Sequence, residues 1–109
     1  MALLARGVVP VINENDAVSF TELTVGDNDK LSALVSALLP ADLLVILTTA
    51  DGLVRNFGKT NAKLVSTVKK IDAGTRKLAC GTESTTSVGG MYSKLKAAEI
   101  VVRAGIPML

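Results

Sequence analysis

The chain has 109 residues, room for one domain and not for two, and with 49% hydrophobic and 20% charged residues it reads as globular rather than disordered. It has no His, which excludes histidine general bases, Ser-His-Asp and Cys-His nucleophile systems and His-containing zinc sites, and its single Cys excludes an internal disulfide or a CxxC redox pair. A net charge of +2 and 3% aromatic residues argue against a nucleic-acid partner, since neither an electrostatic footprint nor a stacking surface is present.

Residues 3–7, Leu-Leu-Ala-Arg-Gly, read as the last turn of a helix, with a cation near the end and Gly at the stop position. Residues 8–13 form an apolar, β-branched run expected to be a buried strand, with Pro10 pointing to a sheet margin or a bulge. Residues 14–26 are polar and looped, with brief pairing possible at 17–20. Residues 27–39 predict an amphipathic helix, because Leu31, Leu34, Val35 and Leu38 follow helical spacing. Asp27 is placed as its N-cap, with Pro40 beyond its end. Residues 43–48 predict a strand of the kind that is covered on both faces.

Asp51-Gly52 marks a turn, and residues 54–62 are a polar excursion. A strand is expected around 64–68 and a short helix over 72–78, followed by a small-residue loop, 79–87. Residues 90–104 predict a second strong helix with Met91, Leu95, Ala98 and Val102 on one stripe. Gly105 closes it, and a strand begins at 106. Strands alternating with helices imply an α/β sandwich around a mostly parallel sheet. Both ends fall in mid-element, so the chain is expected to be a fragment of a longer protein. No apolar run approaches the roughly 20 residues of a membrane span. The first nine residues lack the basic region of a signal peptide, so a cytoplasmic location is expected.

Four segments carry residues suited to chemistry. Asn13-Glu14-Asn15-Asp16 follows a strand, where ligands of parallel α/β sheets sit, although a polar turn has the same composition. Gly26-Asp27-Asn28-Asp29-Lys30 opens a helix with more acceptors than a cap needs. Asn28 can both donate and accept, and Asp29 can orient nearby lysines. Thr48-Thr49-Ala50-Asp51-Gly52 follows the central strand and suits either a nucleotide or a tight turn. Gly89-Gly90 precede a helix, where bare backbone N–H groups and the helix dipole favour an anion. Lys94 lies one turn on and can reach back to a phosphate; a flexible linker with a solvated lysine has the same pattern.

Taken in order, residues 9–16, residues 26–34, Gly89-Gly90-Met91 with Lys94 and Ala97-Ala98, and Arg103-Ala104-Gly105-Ile106 resemble the glutamate 5-kinases (γ-glutamyl kinases), a group within the amino-acid kinase family. The resemblance covers nearly the whole chain. It implies that residues 1–109 are a partial amino-acid kinase domain, a three-layer α/β sandwich with a mostly parallel sheet, truncated at both ends. It implies transfer of the γ-phosphoryl of ATP to the side-chain carboxylate of L-glutamate, with Mg2+ bridging the phosphates, as the first step of proline biosynthesis. By this resemblance Asn13, Asp16 and Asn28 would hold glutamate, and Asp29 would organise the catalytic lysines. Thr48, Val88, Gly89, Gly90, Met91, Tyr92, Ser93 and Lys94 would contact ATP, with Lys94 stabilising the transferring phosphoryl. No residue is assigned as a metal ligand. A homo-oligomer is implied, and neither nucleic acid nor membrane is expected as a partner.

Two positions depart from the family pattern: Thr49 stands where an Asp is usual, and Ser87-Val88 replaces Gly-Thr. The family's glycine-rich phosphate loop and second catalytic lysine belong to an N-terminal segment that this chain does not contain, so the isolated chain is expected to be inactive. The competing expectations are a family member with a different acceptor and a non-catalytic amino-acid-binding or assembly fragment.

Overall fold

The structure, a computed structural model, describes residues 2–13, 28–39, 41–80 and 88–109. Its elements are α1 (Ala2–Ala5), α2 (Asn28–Leu38), β1 (Val54–Arg55), β2 (Lys63–Leu64), α3 (Ala73–Cys80) and α4 (Val88–Arg103). The polar stretch 14–26, Asp16 and the Asp27 cap lie outside the described residues, as does most of the 79–87 loop.

The two glycine stops act as expected. At the end of α4, the Gly105 N–H donates to the Val102 carbonyl at 3.0 Å and the Ile106 N–H to the Val101 carbonyl at 2.9 Å. Gly105 has φ +78°. This is the Schellman arrangement, in which a left-handed residue satisfies the last helix carbonyls. Gly7, at φ +71°, closes α1 in the same way. Asp72 caps α3: its Oδ1 accepts from the Thr75 N–H at 2.9 Å and from the Thr75 hydroxyl at 3.1 Å. The helix accordingly starts one residue later than the spacing predicts and runs on to Cys80. α4 starts at Val88, so Gly89 and Gly90 sit inside its first turn rather than ahead of it.

A parallel pairing joins the middle of the chain to its end. Leu44 donates to Pro107 at 3.0 Å, Leu109 donates to Leu44 at 2.9 Å, and Ile46 donates to Leu109 at 2.9 Å. Leu44 and Ile46 point into a cluster with Ala33 of α2, Ala97 and Val101 of α4, and Ile106. Leu43, Val45 and Leu47 point the other way and are exposed, Leu47 at 92%. α2 and α4 cover one face, and among the described residues the other face is exposed.

Further expectations change. Residues 8–13 carry no ladder among the described residues, and Val9 and Val11 are exposed. A strand is stable only beside a neighbour, and Pro10 offers no N–H. The pairing expected over 64–68 shrinks to the antiparallel β1–β2 hairpin, Val54 opposite Leu64 and Arg55 opposite Lys63, prolonged by one bond from the Val65 N–H to the Leu53 carbonyl. In α2 the expected stripe is divided: Leu31 and Val35 are half-buried, whereas Leu34 is exposed and Leu38 is 81% exposed. Ala33 on the opposite face is buried, because α2 meets α4 through small side chains that let the backbones approach closely. In α4, Leu95 of the expected stripe is buried and Met91 and Ala98 are half-buried, whereas Val102 is exposed and Ala97 and Val101, outside the stripe, are buried.

Candidate active site at two converging helix N-termini

In α2, Asp29 lies four residues before Ala33 and so shares its face. In α4, Ser93 and Lys94 lie four and three residues before Ala97, on the face that carries Val101. The alanine contact therefore brings these polar residues together one turn above the core. Lys94 Nζ donates to Asp29 Oδ2 at 3.0 Å, and Ser93 Oγ donates to the same oxygen at 2.8 Å. The Asp29 and Lys94 side chains are 18% and 20% exposed. At that depth the pair is better shielded from solvent than a surface ion pair.

The N-terminal halves of α2 and α4 meet here. Each helix start carries partial positive charge and backbone N–H groups without intrahelical partners. Together with the Lys94 ammonium they favour an anion beside them, while Asp29 keeps the ammonium oriented.

Two clefts flank the ion pair. One, of about 360 Å³, lies between α2 and the 8–13 segment and is lined by Asn28, Leu31, Ser32, Pro10 and Ile12. The other, of about 550 Å³, is lined by Thr48 and its following turn, the β1–β2 hairpin, α3 and the start of α4, including Gly90, Met91 and Lys94. Both volumes suit small molecules. Asn28 lines the first cleft, its neighbour Asp29 binds Lys94, and Lys94 lines the second, so the ion pair links the linings of the two.

The expected site residues divide accordingly. Asn28, Thr48, Gly90, Met91 and Lys94 line the clefts, and Asp29 and Ser93 join Lys94 in the polar cluster. Val88 and Gly89 belong to the first turn of α4. Asn13 is exposed on the 8–13 segment and is not among the described residues lining the first cleft. Tyr92 is turned away from the ion pair, with Lys96 Nζ 5.4 Å from its ring centre. Asp16 lies outside the described residues.

Sequence reasoning missed the apolar wall of the larger cleft, made by Leu53, Val54, Phe57 and Leu78. Phe57 is 69% exposed at the hairpin turn. An aromatic residue inside an otherwise polar excursion was the available signal. Away from the clefts, Arg76 Nε donates to Glu99 Oε1 at 2.8 Å and ties α3 to α4. The Arg76 guanidinium holds the Glu99 carboxyl below its ordinary range.

Comparison with known proteins follows the same lines. The model of the amino acid kinase family matches residues 1–109. The chain is 52% identical to the glutamate 5-kinase of Shewanella oneidensis, over 99% of its own length and 30% of that relative. It is 51% identical to the glutamate 5-kinase of Sodalis glossinidius over 99% and 30%, and 49% identical to that of Vibrio vulnificus over 99% and 29%. The chain thus spans about 30% of the length of the curated relatives it matches.

Proposed function

The chain belongs to the amino acid kinase family, and from that premise we propose that it forms part of an enzyme that transfers the γ-phosphoryl of ATP to the side-chain carboxylate of L-glutamate. A carboxylate oxygen attacks the γ-phosphorus, the bond to the β,γ-bridging oxygen breaks, and ADP leaves with L-glutamyl 5-phosphate as the product. The observation that carries this reading is the Lys94–Asp29 pair, which links a residue lining one cleft of small-molecule size to the neighbour of a residue lining another. Phosphoryl transfer depends on positioning and electrostatics, so a lysine held at the boundary between acceptor and donor is what the reaction requires, and no histidine is needed.

In this reading the larger cleft takes the nucleotide. Its apolar wall suits the base, and Thr48, Gly90 and Met91 border it. Val88 and Gly89 add backbone N–H groups at the start of α4. Asn28 faces the acceptor in the smaller cleft, and Asn13 and Asp16 are assigned to the same acceptor by the family resemblance alone. Asp29 orients Lys94, whose ammonium neutralises charge on the transferring phosphoryl. Magnesium carried by the nucleotide phosphates would supply further charge neutralisation.

The same reading covers the finer architecture and setting. Residues 1–109 are part of one amino-acid kinase domain whose mostly parallel sheet, with Leu44 beside Met108, is the middle layer of a three-layer sandwich. The enzyme works in the cytoplasm as a homo-oligomer, and no helix among the described residues is long and apolar enough to cross a membrane.

The test is ADP release by the full-length protein with L-glutamate as acceptor, with the acyl phosphate trapped by hydroxylamine. Glutamate-dependent turnover is expected, and Lys94→Ala should lower kcat about a hundredfold or more, as loss of a transition-state charge partner does. Turnover with another carboxylate or a carbamate in place of glutamate would point to a different acceptor. Glutamate binding without turnover would leave a binding module.

A further inference from the structure

We propose that Ser93 is a positioning residue for phosphoryl transfer, acting on Lys94 through the Asp29 carboxylate and not by touching the nucleotide. The inference rests on the phosphoryl-transfer reading above and assigns this one side chain a role within it.

The geometry is specific. Ser93 Oγ lies 2.8 Å from Asp29 Oδ2 and 3.1 Å from the Gly90 carbonyl. A hydroxyl has one proton to give, and the charged, nearer oxygen is the stronger acceptor. The proton therefore goes to Asp29. The contact spans 64 positions of sequence and joins α4 to α2. It is a tertiary tie rather than the common habit of a helical serine bonding back to its own turn, which the Gly90 contact represents.

Asp29 Oδ2 thus takes two donors from adjacent residues of α4, a hydroxyl and an ammonium. Two bonds to one oxygen, from two directions, fix the carboxylate in the plane and rotamer that set the direction of the Lys94 ammonium. With the hydroxyl removed, Asp29 Oδ2 loses the shorter of these two bonds, the ammonium is held less firmly, and it can swing away from the larger cleft. Position is what catalysis of this kind depends on, and small displacements of a charged group are costly to rate. Ser93 itself does not appear among the residues lining that cleft, whereas Lys94 does.

The experiment compares Ser93→Ala, Ser93→Thr, Asp29→Asn and the double variant Ser93→Ala/Asp29→Asn in the full-length protein. Ser93→Ala should lower kcat by about tenfold or more, with KM for ATP and for glutamate nearly unchanged and the thermal midpoint close to that of the wild type. Alanine is the best helix former, so folding is not at risk. Ser93→Thr, which keeps the hydroxyl, should restore most of kcat. Once Asp29 is Asn, adding Ser93→Ala should cost little more, because the two act as one unit.

A Ser93→Ala enzyme with wild-type kcat overturns the inference. So does one whose only defect is a raised KM for ATP, which would make Ser93 a direct nucleotide ligand, and so does full additivity with Asp29→Asn. Each of these leaves the phosphoryl-transfer reading standing. Absence of turnover in the wild type overturns that reading and this inference together.

Discussion

Asp72 shows how one side chain sets where a helix begins. The Thr75 N–H, and after it the Thr75 hydroxyl, hold the Asp72 carboxyl below its ordinary value of 3.8. A carboxyl lowered on folding contributes stability that is fully present above the unfolded pKa and is lost as pH falls through the folded one. Asp72→Ala should therefore lower the unfolding midpoint of the full-length protein near neutral pH, and its distance from the wild type should shrink as the solution is acidified below about pH 4. Asp72→Asn, still a good cap, should lose less. Urea titrations of the three proteins at neutral and acid pH measure this; a gap between wild type and Asp72→Ala that ignores pH would mean that the carboxylate charge is not what holds the end of α3. Lys94 and Asp29 differ in kind. Their pairing spans 65 positions, and its value lies in direction rather than in stability.

At the scale of elements, the contact that matters most for the site is alanine against helix. Ala33 and Ala97 have no exposed surface, and both sit one turn below the Asp29–Ser93–Lys94 cluster. Ala97→Leu would push α2 from α4, with an expected loss of about 1–3 kcal/mol, and would pull Asp29 off Lys94 at the same time. Stability and kcat should therefore fall together in this variant. A leucine tolerated within a few tenths of a kcal/mol, with kcat intact, would show that the helices have slack. Helix ends were legible from the chain alone, because Gly7 and Gly105 act within one turn. The buried face of α2 was not. Periodicity ranks side chains by hydrophobicity, and the larger leucines outweighed an alanine whose burial depends on a helix more than 60 positions away. The polar cluster was legible in its residue types and through resemblance. The apolar wall of the larger cleft was not, because it needs the hairpin and α3 docked beside α4.

At the scale of the whole molecule, the described residues leave an apolar face open. Leu43, Val45 and Leu47 line the face of the parallel pair opposite α2 and α4, and Leu38 stands free at the end of α2. The face repeats every second residue, as one side of a strand must. Uncovered apolar surface beside an unpaired strand edge drives association. The 109-residue chain on its own should therefore elute above its monomer mass and bind a hydrophobic dye. Leu47→Lys should shift it toward monomer without disturbing the cluster of Leu44 and Ala33, since residue 47 is on the opposite face. Size-exclusion chromatography with light scattering on the two chains decides it. A monomeric, dye-silent parent chain would mean that the outer face is covered in solution. A Leu47→Lys chain as associated as its parent would move the sticky surface to the exposed valines of 8–13.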